Sequence, residues 1–286
     1  MPTESMLVVT VDDAETAELV SDRLWQLGVR GVVERAIAGG AVELSTSVGD
    51  APAALDRAVA TLDPGWSWRV ERVDSAASDA WRDHVEPVWF TDDRVCVPAW
   101  LTDADVPGID RATSVTRIEP GGSFGLGDHP TTRLSLAAVA ELLDPAEHGD
   151  RSPIRSVLDV GCGSGALSVL AAQLGAPTCV GIDLADEAVV ATRDNADRNG
   201  VAGRVSASTT PLADVDGTFD LVVANILAPV LVSLAADLRR VLAPEGVLVV
   251  SGVLADRHDH VVEALAPLRP VSTTTHHGWA AVTFER

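Results

Sequence analysis

A chain of 286 residues, 47% of them hydrophobic, is long enough for one large or two modest domains and can fill a core. Its formal net charge is −21, all 21 basic residues are arginine, and lysine and tyrosine are absent. Such a surface repels nucleic acid, which is bound by cations that displace phosphate counterions. It attracts a basic protein instead, although the same acidity also suits a salty cytosol, where screening blunts steering. No apolar run approaches the roughly 18 residues of a membrane span and the N-terminus lacks a signal-peptide pattern, so the expected location is the cytoplasm. Cys96, Cys162 and Cys179 are an odd number at irregular separations, from which neither a disulfide framework nor a metal site is expected.

Along residues 1–74 the pattern predicts a strand over Met6–Val11, then a helix over Ala14–Leu27 capped by Asp12 or Asp13, with Leu19, Val20, Leu24 and Leu27 on one face. Two short strands, Gly31–Ala36 and Ala41–Ser47, flank a turn at Gly39-Gly40. A helix from Pro52 to about Leu62 and a strand over Trp66–Val73 complete the order βαββαβ, which is that of a small ferredoxin-like α+β domain. That fold serves many functions and specifies none. Residues 75–116 have the composition of a connector, with a short helix through Val85. Trp81, Trp89 and Trp100 in it are expected to make an aromatic interdomain contact, with direct contact to a substrate as the alternative.

The third part, residues 117–286, begins with a glycine-rich loop. Arg117 to Thr132 holds four glycines between Gly121 and Gly127 and ends in threonines that can cap a helix over Arg133–Leu143. Next comes Val157-Leu158-Asp159-Val160-Gly161-Cys162-Gly163-Ser164-Gly165. An apolar β-branched run of this kind predicts a buried parallel strand, and the glycines allow a sharp turn with backbone exposed to a ligand. A helix follows to Leu174. The second strand, Thr178–Asp183, ends in a carboxylate about 20 residues past the glycines, where a ribose diol is held in nucleotide-binding folds. Gly161-x-Gly163-x-x-Ala166 also satisfies the relaxed dinucleotide fingerprint, and NAD and S-adenosylmethionine share that ribose, so the spacing leaves both open. Further strands are expected at Arg204–Ser208, Asp220–Asn225 and Gly246–Val253, with a helix over Pro229–Leu242. The sheet closes with an antiparallel pair, Val271–Thr275 and Ala280–Phe284, around a His276-His277 turn that is not expected to bind metal.

Asp-Val-Gly-Cys-Gly-Ser-Gly, Gly-Ile-Asp, the helix Arg193–Val201 and Ala-Asn-Ile-Leu-Ala (224–228) resemble the class I methyltransferases, and most of all the PrmA family, which methylates ribosomal protein L11. The pattern Trp81 … Pro87 … Pro98-Ala99-Trp100 resembles that family's connector. Phe124-Gly125-Leu126-Gly127-Asp128-His129-Pro130-Thr131-Thr132 resembles its Phe-Gly-Thr-Gly-x-His-x-Thr-Thr loop, which folds over the cofactor, with Leu126 in place of the usual threonine. The resemblance implies a Rossmann-like parallel sheet with an antiparallel final strand, S-adenosyl-L-methionine as cofactor, and lysine or N-terminal amino groups of the ribosomal protein as acceptors. It also implies that the N-terminal domain captures that protein. Cofactor contacts are then expected from Thr132, Phe124, Gly161, Gly163 and Asp183, with His129 in a structural hydrogen bond.

Asp159 would orient the loop amides or receive the cofactor's ammonium group. Asn225 would accept from the incoming amine or from the cofactor's own amino group; the amine must be neutral to attack, a state that desolvation favours. No side chain need act as general base if solvent takes the proton. The alternatives are a methyltransferase for another protein or a small amine, an NAD-dependent oxidoreductase, and a non-catalytic nucleotide-binding module. The oxidoreductase reading leaves Asn225-Ile226-Leu227-Ala228 and the Phe-Gly-x-Gly loop without explanation.

Overall fold

The computed structural model describes residues 3–25, 32–48, 52–74, 82, 85–120, 127, 129–144 and 152–286. They fall into two compact units, one reaching Val85 and the other beginning at Glu86.

The first unit runs β1 (Thr3–Val11), α1 (Ala14–Trp25), β2 (Val33–Ala36), β3 (Val42–Ser47), α2 (Pro52–Thr61) and β4 (Ser67–Asp74), in an antiparallel sheet of order β2-β3-β1-β4. Asp13 caps α1, accepting a hydrogen bond from the Thr16 amide at 2.8 Å. The buried stripe of α1 is Ala17, Val20 and Leu24, packed with Leu7, Val9 and Leu44. Leu19 departs from expectation at 41% exposed, because it sits about 100° around the helix from Val20 and 17/20/24 already fill the inward stripe. Leu27 and Trp81 lie outside the described residues, as does most of the short helix expected before Val85.

In the second unit the connector has its own sheet, which the sequence did not announce. β5 (Val88–Trp89) pairs antiparallel with β6 (Arg94–Pro98), and β6 pairs parallel with β7 (Ser114–Ile118) around Val95, Val97 and Val106. Trp89 packs partly buried against this core, with the Arg111 guanidinium 3.8 Å above its ring.

The main body is α3 (Pro130–Leu143), β8 (Ser156–Val160), α4 (Ala166–Gln173), β9 (Thr178–Ile182), α5 (Asp186–Arg198), β10 (Val205–Ser208), β11 (Phe219–Asn225), α6 (Ala228–Arg240), β12 (Leu242–Leu254), α7 (Asp259–Ala264), β13 (Arg269–His276) and β14 (Trp279–Glu285). The seven strands order as β10-β9-β8-β11-β12-β14-β13, parallel through β12 and antiparallel at β14 and β13. The order reverses between β8 and β11, and a parallel α/β sheet opens its ligand crevice at that switch point. One side chain sets the register there. Asp220 Oδ2 accepts from the amides of Arg155 and Ser156 at 2.8 and 2.9 Å, and Leu221 to Ala224 then face Val157 to Val160.

Ile226, just beyond β11, is wedged between two glycines. A Cβ on Gly161 would come within 2.5 Å of Ile226 Cγ2, and one on Gly252 within 2.4 Å of the Ile226 carbonyl oxygen. Both glycines also have positive φ, at +74° and +83°. Gly217 has φ +84° with open space around it, so it isolates the backbone term. Gly217→Ala is expected to cost about 1–2 kcal/mol from left-handed strain alone. Gly252→Ala adds a backbone clash and is expected to cost at least about 3 kcal/mol. Denaturant midpoints of the two variants check this, and equal losses would refute the wedge.

Candidate functional site

The site grows from the end of β8. Gly161, Gly163 and Gly165 take φ of +74°, +52° and +79°, so the turn needs glycine for its backbone. The space left by two missing side chains is filled by protein. Gly161 lies against Ile226, and a Cβ on Gly165 would come within 2.8 Å of the Thr192 backbone. The expectation that these glycines simply bare the backbone to a ligand is therefore incomplete, since 161 and 165 are first required by packing.

Asp183, at the end of β9, accepts from the Gly163 amide at 2.9 Å through Oδ2 and from the Ala185 amide at 3.1 Å through Oδ1. A carboxylate accepts about four hydrogen bonds, so it braces the loop and keeps capacity for a diol. Leu184, the next residue, is 83% exposed. An exposed leucine at a strand end is an apolar surface suited to a flat heterocycle, and its only signal in the sequence is its place after that carboxylate.

Asp159 is 1% exposed, and its Oδ2 accepts from the Ser168 amide and hydroxyl at 3.2 and 2.8 Å. Its Oδ1 is buried without a hydrogen-bond partner among the described residues. Burial, reinforced by the nearby Asp183 charge, pushes the Asp159 carboxyl up to about 7 against the hydrogen bonds from Ser168. An orphaned acceptor under a glycine turn suits a ligand that brings a positive charge close to it.

On the other side of the switch point, Asn225 ends β11 and its Nδ2 donates to Thr132 Oγ1 at 3.4 Å. Thr132 lies in the first turn of α3, 2% exposed. It does not cap that helix. The cap is His129, whose Nδ1 accepts from the Thr131 amide at 3.3 Å, ahead of Pro130 at the first helical position. Burial pulls the His129 imidazole down to about 4, and its ring meets Trp279 edge-on at 5.3 Å. Ser251, buried opposite Asn225 in the β11–β12 register, donates to the Ala280 carbonyl at 3.0 Å and lies 3.4 Å from that of Thr131.

Gly127 seats the end of the Phe-Gly-x-Gly loop on β6: a Cβ there would fall 2.9 Å from Cys96 Sγ. Phe124 lies outside the described residues. Thr132, Asp159, Gly161, Gly163, Asp183 and Asn225 thus all stand at one end of the sheet. Cys96, Cys162 and Cys179 are buried thiols, the last two pushed up by burial. Among the described residues no group of three His, Cys, Asp or Glu side chains could hold a metal, and no helix is long and apolar enough to cross a membrane.

Sequence reasoning missed two asparagines, Asn195 on α5 and Asn199 at its C-terminal cap. Asn195 is fully buried. Its Nδ2 donates to the carbonyls of Glu119 and Ser164 at 2.8 and 2.9 Å, and its Oδ1 accepts from the Glu119 amide at 2.9 Å. Asn199 exchanges the same pair of bonds with Arg117, at 2.9 and 2.7 Å. Their four-residue spacing advances about 6 Å along a helix, close to the roughly 6.6 Å that two extended residues span, so the pair reads alternate residues at the end of β7 and just beyond it, Arg117 and Glu119. The Asn-x-x-x-Asn spacing was the available signal.

Residues 67–286 match the protein family described as Ribosomal protein L11 methyltransferase (PrmA). A ribosomal protein L11 methyltransferase of Geobacter metallireducens is 40% identical over 207 residues, 72% of this chain and 64% of that protein. One of Sorangium cellulosum is 38% identical over 282 residues, 94% of this chain and 86% of that protein. The crystal structure of a ribosomal protein L11 methylase from Lactobacillus delbrueckii subsp. bulgaricus superposes with a TM-score of 0.60 at 30% identity, covering 71% of this chain and 98% of that one. The stretch aligned with the Geobacter relative is thus less than two thirds of that relative's length.

Asp159 and His129 give stability opposite pH dependences. A carboxyl raised from 3.8 to about 7 contributes stability that is full below 3.8 and lost as pH rises through about 7. An imidazole lowered from 6.5 to about 4 contributes stability that is full above 6.5 and lost as pH falls through about 4. Asp159→Asn should therefore gain stability relative to the parent as pH rises from 4 to 8. A difference in denaturant midpoint that stays constant over that range would mean that Asp159 titrates normally.

Proposed function

The chain belongs to the ribosomal protein L11 methyltransferase (PrmA) family, and from that membership and the geometry of the site we propose that it is an S-adenosylmethionine-dependent methyltransferase acting on amino groups of a ribosomal protein, L11. The observation that carries this reading is the meeting of Asn225 and Thr132 at the switch point, beside the glycine turn and Asp183. An oxidoreductase site gives no role to an asparagine held at that strand end.

S-adenosylmethionine brings an electrophilic methyl on a sulfonium, a ribose diol and a charged amino-acid terminus, and the residues present fit each part. Asp183 keeps acceptor capacity for the diol, and Leu184 offers the apolar face for the base. The orphaned Asp159 Oδ1 supplies negative potential beneath the turn for a cation, and an ammonium nearby would favour its ionised form. Because Asn225 spends Nδ2 on Thr132, its amide presents Oδ1, an acceptor for an N–H of a neutral amine or of the cofactor. Methyl transfer asks mainly for alignment and exclusion of water, and an amide fixed by a buried threonine supplies a rigid acceptor. Thr132, Phe124, Gly161 and Gly163 complete the proposed cofactor set.

For residues 1–74, within the first unit, the supported reading is a ferredoxin-like domain that captures the substrate. The βαββαβ order and the strand order β2-β3-β1-β4 support it, and the acidic surface suits a basic partner.

Incubation with methyl-labelled S-adenosylmethionine and purified ribosomal proteins, at low and high salt, should label one small basic protein, and label only on a small amine would overturn the substrate. Calorimetry should show binding of S-adenosylhomocysteine and not of NADH. Asn225→Ala should lower turnover by about 100-fold, the order expected when a reacting group loses its alignment, with little change in melting temperature. An unchanged rate would remove Asn225 from the mechanism.

A further inference from the structure

The glycine turn is held from behind by one face of α5. Thr192 Oγ1 lies 3.2 Å from the Gly163 carbonyl oxygen and 3.3 Å from Cys162 Sγ, and Asn195, one turn on, donates to the carbonyl of Ser164 at 2.9 Å. Both side chains are fully buried. A trans peptide is planar, with its carbonyl and the following N–H antiparallel. Drawing the carbonyls of 163 and 164 toward α5 therefore fixes the opposite direction for the amides of 164 and 165. The Gly165 amide closes the turn on the Cys162 carbonyl at 2.7 Å, so the conformation is determined from both sides. Packing alone would be met by alanine or leucine here, and a buried amide is tolerated only when its groups are paired. Asn195 has both Nδ2 donations filled and Oδ1 shared between the Glu119 amide and Arg198.

We propose that Thr192 and Asn195 are positioning residues for the cofactor, setting the peptide planes of the glycine turn so that it is preorganised for S-adenosylmethionine and coupling it to the end of β7. This rests on the cofactor reading above. Asn199 provides the internal control, because it makes the same pair of backbone bonds, to Arg117, that Asn195 makes to Glu119, but has none to the turn.

The test is calorimetric titration of the full chain with S-adenosylhomocysteine, together with steady-state kinetics, well below the melting temperature of every variant. Asn195→Ala should weaken binding about tenfold, the equivalent of one buried hydrogen bond. Thr192→Val, which keeps shape and loses only the hydroxyl, should weaken it about threefold, and Asn199→Ala should stay within about twofold. The KM for S-adenosylmethionine should rise in parallel while kcat at saturating cofactor is unchanged. Equal losses in Asn195→Ala and Asn199→Ala would reduce Asn195 to a strand clamp and overturn the proposal. If Asn195→Ala does not fold, Thr192→Val decides, and parental affinity there overturns it. Failure of the parent chain to bind S-adenosylhomocysteine would instead overturn the cofactor reading, and the positioning role with it.

Discussion

The contact on which the rest depends is Ile226 seated between Gly161 and Gly252. It joins the turn after β8, the end of β11 and the register shift in β12 between Val250 and Val253 at one point, and it tolerates no side chain on either neighbour. Upstream, Asp220 fixes the β8–β11 register by bonding two successive amides. Downstream, the β11–β12 register brings Asn225 opposite Ser251, and Ser251 with Asn225 reaches the first turn of α3 through Thr131 and Thr132. A chain of short, directional contacts therefore fixes the residues of the site on rigid strand ends, where alignment is most precisely inherited from the sheet.

Strand-forming runs and glycine turns were legible because their causes are local. Apolar β-branched runs announce buried parallel strands, and the distance from the glycines to Asp183 announces the nucleotide fold. Thr132 and Asn225 were found from a family likeness and from the rule that strand ends line the crevice. What the sequence hid was tertiary. Thr132 looked like a helix cap because capping chemistry is local, whereas His129 won that place, with Pro130 next supplying the fixed backbone of the first turn. The connector sheet was hidden because β5 is only two residues long and β6 and β7 pair across an intervening loop. Asn195 sits in a polar helix of ordinary composition and Asn199 caps its end, and only the chain segment they clasp distinguishes them from solvent-facing residues.

The arginines explain how so acidic a chain holds together without lysine. Arg240 donates to the carbonyls of Leu212, Ala213 and Val215, Arg204 to Ala172, Arg239 to Ala264, Arg193 to Ala207, and Arg286 to Arg239 and Leu242. A planar fork of five donors closes several loop and helix-end carbonyls at once, which a single ammonium does less well. These arginines bond chiefly to backbone oxygens, although Arg240 also pairs with Asp237 at 3.0 Å. Exposed ion pairs exist, such as Arg69 with Glu43 and Glu71, and such pairs contribute about 0–1 kcal/mol each.

The negative field that remains acts on encounter more than on fold. Self-repulsion works against a compact state, so stability must come from the apolar sheet core, where Leu158, Val222, Leu248 and Phe284 are fully buried. A basic partner gains long-range attraction at low ionic strength, and at about 0.15 M salt the field decays over roughly 8 Å. Beyond that distance the charge guides nothing, and recognition passes to surfaces in contact. Within the site the balance reverses. The Asp183 charge adds to burial in disfavouring ionisation of Asp159, so a cationic ligand at the glycine turn would relieve a repulsion built into the fold.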